Sequence, residues 1–458
     1  MINKTLLILL LATSFSAFAQ PWPQPALPDT ASYGQYISRT MHLLQTSIPE
    51  KPNTVKILVY GQSISVQDWW KEVKSSLQSR FPNANLIMEN KAIGGFASQM
   101  LCKTVEMDVS MFYPDLVLLH IYGSNQLYDS VLYTIRSRTA AEIAIQTDHY
   151  TGESAWSDTM SYHLLPAMAE KYKCDLINIR DPWKKYLTDH QLKSKDLLKD
   201  DVHLNKYGEF PMAELIKPLF QYKSKFKADP FNLCTTLVAG TDFKIRKGKL
   251  ELSFSGNRVD VVYPENAVSG NVKVLLDGRK PSTFQGTYFM TRPYSINGKD
   301  WPWNLPAMIH IDRKTSWVEE EWVCKFTEAT APYNDFSFEI RGSVTGFDGA
   351  GKGSEDFESK SGRVIIRKGD AEKGGDWHLN RSWKVMKTIV NADDEVKWRT
   401  YSFSKDHWNS VQDTTEKGVS TLFQGVPNQA HSLELIPDKN TKLPLQEIRV
   451  YQPFWGRK

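Results

Sequence analysis

From Val55 to about Leu219 the chain alternates between two hydrophobic patterns. Short apolar, β-branched runs predict strands at Val55–Tyr60, Asn85–Glu89, Leu116–Ile121, Glu142–Thr147 and Leu176–Ile179. Between them, apolar residues recur every three or four positions and predict helices at Asp68–Arg80, Ala97–Phe112, Tyr128–Ser137, Asp158–Tyr172 and Lys206–Leu219. In the first of these helices Trp69, Trp70, Val73 and Leu77 fall roughly on one face. Near-continuous apolar strands separated by helices imply a parallel sheet covered on both sides, an α/β fold of three layers, flavodoxin-like in general form. A short helix is expected ahead of it, where Tyr33, Tyr36, Ile37, Met41 and Leu44 approach helical spacing before Pro49 and Pro52 end the run.

After Lys223–Lys227 the pattern changes. Strand-like segments follow in succession: Leu250–Phe254, Val259–Val262, Val272–Leu276, Ala307–Asp312, Trp322–Phe326, Phe336–Gly342, Arg363–Arg367, Trp398–Phe403 and Leu433–Ile436. Asp277-Gly278 and Ser255-Gly256-Asn257 read as hairpin turns between them. Many short strands with turn signals predict an all-β sandwich, jelly-roll-like, over residues 228–458. Gly346–Gly362, rich in Gly, Ser, Asp and Glu, reads as a loop.

The first residues add a destination. Met1-Ile2-Asn3-Lys4 precedes an apolar run from Leu6 to Phe18, and Ala17-Phe18-Ala19 stands before Gln20. That is the pattern of a secretory signal peptide, residues 1–19, cleaved after Ala19. A membrane anchor needs about 20 apolar residues, and no segment of the chain reaches that, so no membrane insertion is expected. The exported chain, periplasmic or extracellular, then has a proline-rich leader and helix (20–54), an α/β domain (55–227) and the β-rich part. A net charge of +4, with both signs well mixed, argues against a nucleic-acid partner. The four cysteines, in an export setting, admit two disulfides as readily as four free thiols. None has the paired spacing of a zinc site, so neither a metal nor another cofactor is expected.

The chemistry is concentrated at the strand ends. Gly61-Gln62-Ser63 closes the first strand, and Gly94-Gly95 follows the second. Gly123-Ser124-Asn125 follows the third, and Asp200-Asp201-Val202-His203 precedes the last helix. Gly-x-Ser, Gly-Gly, Gly-x-Asn and Asp-x-x-His in this order resemble the four blocks of the SGNH/GDSL hydrolases, over roughly Val55 to Tyr222. Gln62 stands where that family usually has Asp, and Gln126 replaces the Asp after the third-block Asn. The Gln form is similar to the Gly-Gln-Ser of some carbohydrate-esterase branches.

Ester hydrolysis at neutral pH needs a nucleophile, a base and donors for the oxyanion. Ser63 is the candidate nucleophile and His203 the candidate base, since imidazole titrates near neutrality without special tuning. By the resemblance, Asp200 rather than the adjacent Asp201 orients the ring. The oxyanion hole would use the backbone N–H groups of Ser63 and Gly95 and the side-chain amide of Asn125. His149, at the end of the fourth strand, reads equally as a substrate contact or as a satisfied structural histidine. His120, inside an apolar strand, reads as a hydrogen-bonded core residue.

Nine of the fourteen tryptophans follow residue 300. Most such rings fill sandwich cores, but Trp301-Pro302-Trp303 in a proline-rich loop is a candidate for stacking on sugar. An exported SGNH-like chain with an added β-sandwich resembles carbohydrate esterases, and an acetylated glycan is the expected substrate. Alternatives are an O-acetyltransferase of the same fold, a uronic-acid methylesterase, and a non-catalytic glycan-binding protein. The last would be expected to lack Ser63 or His203, and both are present.

Overall fold

The computed structural model describes residues 22–267, 270–293, 305–370, 374–439 and 442–456. The expected signal peptide and the Trp301/Trp303 pair lie outside the described residues.

Five parallel strands form the central sheet: β1 (Thr54–Gly61), β2 (Asn85–Asn90), β3 (Leu116–His120), β4 (Glu142–Gln146) and β5 (Asp175–Ile177), in the order 2-1-3-4-5. Side chains alternate across it as the pleat requires. Val55, Ile57 and Val59 of β1 enter one buried cluster, while Leu58 and Tyr60 enter the other. β3 divides likewise, with Leu116 and Leu118 on one side and Val117 and Leu119 on the other. The sheet therefore separates two cores, and helices close both. These include α1 (Ser38–Gln45), α2 (Ser63–Val66), α3 (Trp69–Arg80), α4 (Ser98–Val105) and α5 (Asn125–Arg138).

Arg180–Asp189 is a further helix that the hydrophobic pattern conceals. Its charged first turn and Lys184-Lys185 surround Trp183, Tyr186 and Leu187, which are all buried at helical spacing. Pro182 sits in the first turn, where a missing N–H breaks no helical bond.

The second half holds two larger antiparallel sheets, giving a β-rich region after the α/β region. One sheet has six strands, and its spine is the pairing of Leu250–Val262 with Val419–Pro437. The other has five, centred on Glu320–Ala329 between Phe336–Gly342 and Glu395–Ser402. Asp277-Gly278 is a tight turn as expected, with φ of 51° and 72° and reciprocal bonds between Leu276 and Arg279.

Two turn readings do not hold. Ser255-Gly256-Asn257 lies within the long Leu250–Val262 strand. Gly256 is needed there for close approach: a Cβ would stand 2.4 Å from the carbonyl oxygen of Tyr451. Gly346–Gly362 begins with a strand, Gly346–Lys352, rather than a loop. Its glycines make room for an aromatic ring, since a Cβ on Gly351 would stand 2.7 Å from the Phe357 ring. All four cysteines are free.

The five-stranded sheet shares a core with the α/β half. One buried cluster runs from Phe96, Met100 and Leu101 to Met308, Trp322 and Trp377. Trp322, Trp377 and Trp398 are thus core residues, as is Trp408 in the six-stranded sheet's own cluster.

Candidate active site

Ser63 is the first residue of α2, immediately beyond β1. The turn that delivers it depends on Gly61, whose φ is +145° and whose Cβ, if present, would lie 2.0 Å from the His120 carbonyl oxygen. Any side chain there would force β1 away from β3. Ser63 then faces the loop before the Lys206–Ile216 helix, and its Oγ lies 2.8 Å from His203 Nε2. On the other side of the ring, Nδ1 is 2.9 Å and 3.1 Å from the two oxygens of Asp200. A carboxylate can only accept, so Nδ1 carries the hydrogen and Nε2 presents its lone pair to the serine hydroxyl.

Asp200 also holds its own loop. Its Oδ1 accepts from the backbone N–H of His203 at 2.7 Å and of Val202 at 2.9 Å. Partial burial pulls its carboxyl upward, but those two N–H groups and the imidazole outweigh it and bring it down to about 2. Asp201 is exposed and makes none of these bonds.

The loops after β2 and β3 flank the serine, because those strands are the neighbours of β1. Gly95 has a φ of +74°, the left-handed region that favours glycine. Asn125 opens α5 and is exposed. Backbone bonds tie the three loops together: Gln62 N–H to the His120 carbonyl at 3.1 Å, Ile93 N–H to Gly61 at 3.0 Å, and Ser98 N–H to Tyr122 at 2.8 Å. The Ser98 hydroxyl adds a bond to the Ser124 carbonyl at 2.9 Å.

No protein-family model and no curated protein matches the chain. Among solved structures, the chain is similar to a two-domain esterase (CEX) active on acetylated mannans, at 12% identity and a TM-score of 0.37, covering 92% of this chain and 95% of that one. It is also similar to Axe2, an acetylxylan esterase from Geobacillus stearothermophilus, at 18% identity and a TM-score of 0.33, covering 37% and 95%. A third is LAE5, an alpha/beta hydrolase from the metagenome of Lake Arreo, Spain, at 20% identity and a TM-score of 0.33, covering 37% and 97%. Likenesses this distant bear on no residue of the site.

Several supports of the site carry no motif of their own. Gln67 clasps the residue after His203, its Oε1 accepting from Leu204 N–H at 3.0 Å and its Nε2 donating to the Leu204 carbonyl at 2.7 Å. His149 is 4% exposed, too enclosed to meet a glycan, and its Nε2 donates to the Val202 carbonyl at 2.8 Å. The structure thus places it as a brace of the Asp200–His203 loop. Only the position of His149 at a strand end hinted at this, and that position served either reading.

From the β-rich half, the Leu379–Met386 helix sends Arg381 to the Gly95 carbonyl at 2.7 Å, and His378 packs edge-on against Phe96 with ring centroids 5.0 Å apart. Nearby, Lys103 pairs with the buried Asp376 at 2.9 Å. Sequence separation hides such contacts, which join residues more than 270 positions apart. Among the described residues there is no group of three or more His, Cys, Asp or Glu able to hold a metal. Nor, among them, is any helix long and apolar enough to cross a membrane.

The brace makes a prediction about pH. Burial is the main cause that lowers His149 to about 4, with Asp148 opposing it. Burial, then Arg381, lowers His378 to about 3. Both rings fold neutral, whereas in the unfolded chain they take up a proton near the ordinary histidine value of about 6.5. The unfolded state therefore binds more protons between that value and the folded ones, and stability rises with pH across the window. Their contribution is complete above pH ~6.5 and is progressively lost as the pH falls toward ~4. Melting temperatures recorded from pH 7 to pH 4 should fall, and His149→Gln should flatten the slope; an unchanged slope would show that His149 is not held neutral.

Proposed function

We propose that the chain is a serine esterase that removes O-acetyl groups from a polysaccharide or oligosaccharide. The observation that carries the reading is the contact of Ser63 Oγ with His203 Nε2 at 2.8 Å while the opposite ring nitrogen rests on Asp200. In this reading His203 takes the hydroxyl proton as Ser63 Oγ bonds to the acetyl carbonyl carbon. The negative oxygen that forms is met by the N–H groups of Ser63 and Gly95 and the amide of Asn125. His203 returns the proton to the departing sugar oxygen, leaving acetyl-Ser63. Water, losing a proton to His203, then adds to that ester, and acetate leaves with the serine reprotonated. Apart from the attacking water, every step uses groups of the chain itself.

Two features support a short acyl group on a sugar. The loops around Ser63 are rich in polar residues and glycine (Gln62, Gly94, Gly95, Gly123, Ser124 and Asn125), a composition that offers a long acyl chain little apolar surface. The four blocks, with Gln62 before the serine, resemble the carbohydrate-esterase form of the SGNH pattern. The test is incubation of the purified protein with a panel of acetylated and methyl-esterified polysaccharides, assaying acetate and methanol together. Release of acetate is expected. Methanol alone would move the reading to a uronic-acid methylesterase, and neither product to a binding protein. Acetyl transfer to an acceptor sugar in preference to water would favour a transferase.

A further inference from the structure

A second row of polar groups, its middle members buried, runs along the carboxyl edge of the sheet, starting at Ser63 and crossing from β1 to β4. β1, β3 and β4 are neighbours, and Gln62, His120 and Asp148 stand at or just past their ends. Gln62 is 3% exposed and His120 2%. Gln62 Oε1 lies 3.0 Å from Ser63 Oγ, and its Nε2 lies 3.2 Å from His120 Nδ1. His120 Nε2 lies 2.6 Å from Asp148 Oδ1.

For a neutral imidazole, one placement of hydrogens satisfies this row. The carboxylate of Asp148 accepts only, so His120 Nε2 carries the ring hydrogen and Nδ1 keeps its lone pair. Burial raises the Asp148 carboxyl, and the hydrogen bond from His120, with the charge of Arg180, more than reverses this and keeps it ionised. The lone pair on Nδ1 draws the NH₂ end of the Gln62 amide toward it. The carbonyl end is thereby turned onto Ser63. A carboxylate on the third strand of the row sets which end of an amide meets the hydroxyl on the first.

We propose that Gln62, with its amide direction set by His120 and Asp148, is a positioning residue for Ser63 in the acylation half of the reaction. The proposal rests on Ser63 being the nucleophile, and it deepens that reading. The single serine hydrogen has two acceptors in reach, Gln62 Oε1 at 3.0 Å and His203 Nε2 at 2.8 Å, which together hold the hydroxyl in one rotamer. Once Ser63 is acetylated, its Oγ bears no hydrogen and Gln62 Oε1 has nothing to accept. The contact therefore exists only before acylation and after deacylation, and its loss should slow one half-reaction and spare the other. A merely structural role for the row predicts no such asymmetry.

The test is a double-mutant cycle read in rapid-mixing kinetics with p-nitrophenyl acetate, where the burst gives acylation and the steady state deacylation. Gln62→Met, which neither donates nor accepts comparably, should slow acylation about tenfold, the change commonly carried by one hydrogen bond. Deacylation should stay within about twofold. Asp148→Asn removes the obligatory acceptor and admits the other His120 tautomer, so it should slow acylation by a similar factor. The double variant should be no slower than Gln62→Met, because Asp148 acts only through Gln62. Unchanged acylation in Gln62→Met, equal slowing of both half-reactions, or multiplying effects in the double variant would each overturn the proposal. If Gln62→Met does not fold, the acylation-to-deacylation ratio of Asp148→Asn decides alone. Mass spectrometry of the quenched wild-type protein, with turnover of Ser63→Ala beside it, separates the two readings. An acetyl adduct on Ser63 with unaffected variants overturns only the role of Gln62, whereas a folded Ser63→Ala variant with wild-type turnover overturns both.

Discussion

Ser63→Ala should lower turnover of p-nitrophenyl acetate by about 10⁶-fold, the loss seen when a serine nucleophile is removed from a working triad. The size follows from the role proposed for the hydroxyl, which is to form the bond to carbon. Gln62 and His203 would remain, but each only holds or takes the serine hydrogen. The fold should survive, because the side chain is only half-buried and the turn is maintained by Gly61 and the backbone bond from Gln62 to His120. Circular dichroism and a melting curve beside the assay check this. Near-wild-type turnover in a folded variant would remove Ser63 from the chemistry and with it the esterase reading.

Asp200→Asn should cost about 10⁴-fold in turnover, as in triads whose aspartate becomes an amide and admits the wrong imidazole tautomer. Here the loss has a second source. Asp200 Oδ1 also accepts from the backbone N–H groups of Val202 and His203, so its carboxylate shapes the loop that carries the ring. Asparagine keeps one acceptor oxygen, and the loop and the ring must then compete for it. Asp201→Asn should change turnover by less than about threefold, within the range of surface substitutions away from special contacts. Measuring both variants at one pH tests the ranking, and a larger loss at Asp201 would transfer the orienting role to it.

The sheet was readable because buried parallel strands are written as unbroken apolar runs, and each predicted strand of β1 to β5 lies within about two residues of the observed one. Ser63, Asp200 and His203 were readable because their order and spacing resemble a known set, and the structure brings all three into hydrogen-bond contact. What escaped lacks a local signature. Gln67 reads as an ordinary polar residue between helices, and its pair of hydrogen bonds with Leu204 exists only once the chain has returned 137 positions later. Gln62 registers in the sequence only as a departure from Gly-Asp-Ser, while its meaning depends on His120 and Asp148 from two other strands. Gly351 and Gly256 read as loop and turn residues because glycine composition does not distinguish a bend from a place where something large comes near.

The contact between Arg381 and Gly95 bears on motion between the two halves of the chain. A second domain tethered only by a linker can swing open and shut over a catalytic face. Here the guanidinium is bonded to the carbonyl of the loop after β2, His378 packs on the adjoining Phe96, and the core continues beneath both. Any rotation of the β-rich half would therefore pull on the peptide of Gly95 itself. The β-rich half is thus built onto the loop that carries Gly95 as a wall is built onto a floor, and is not hung beside it as a door.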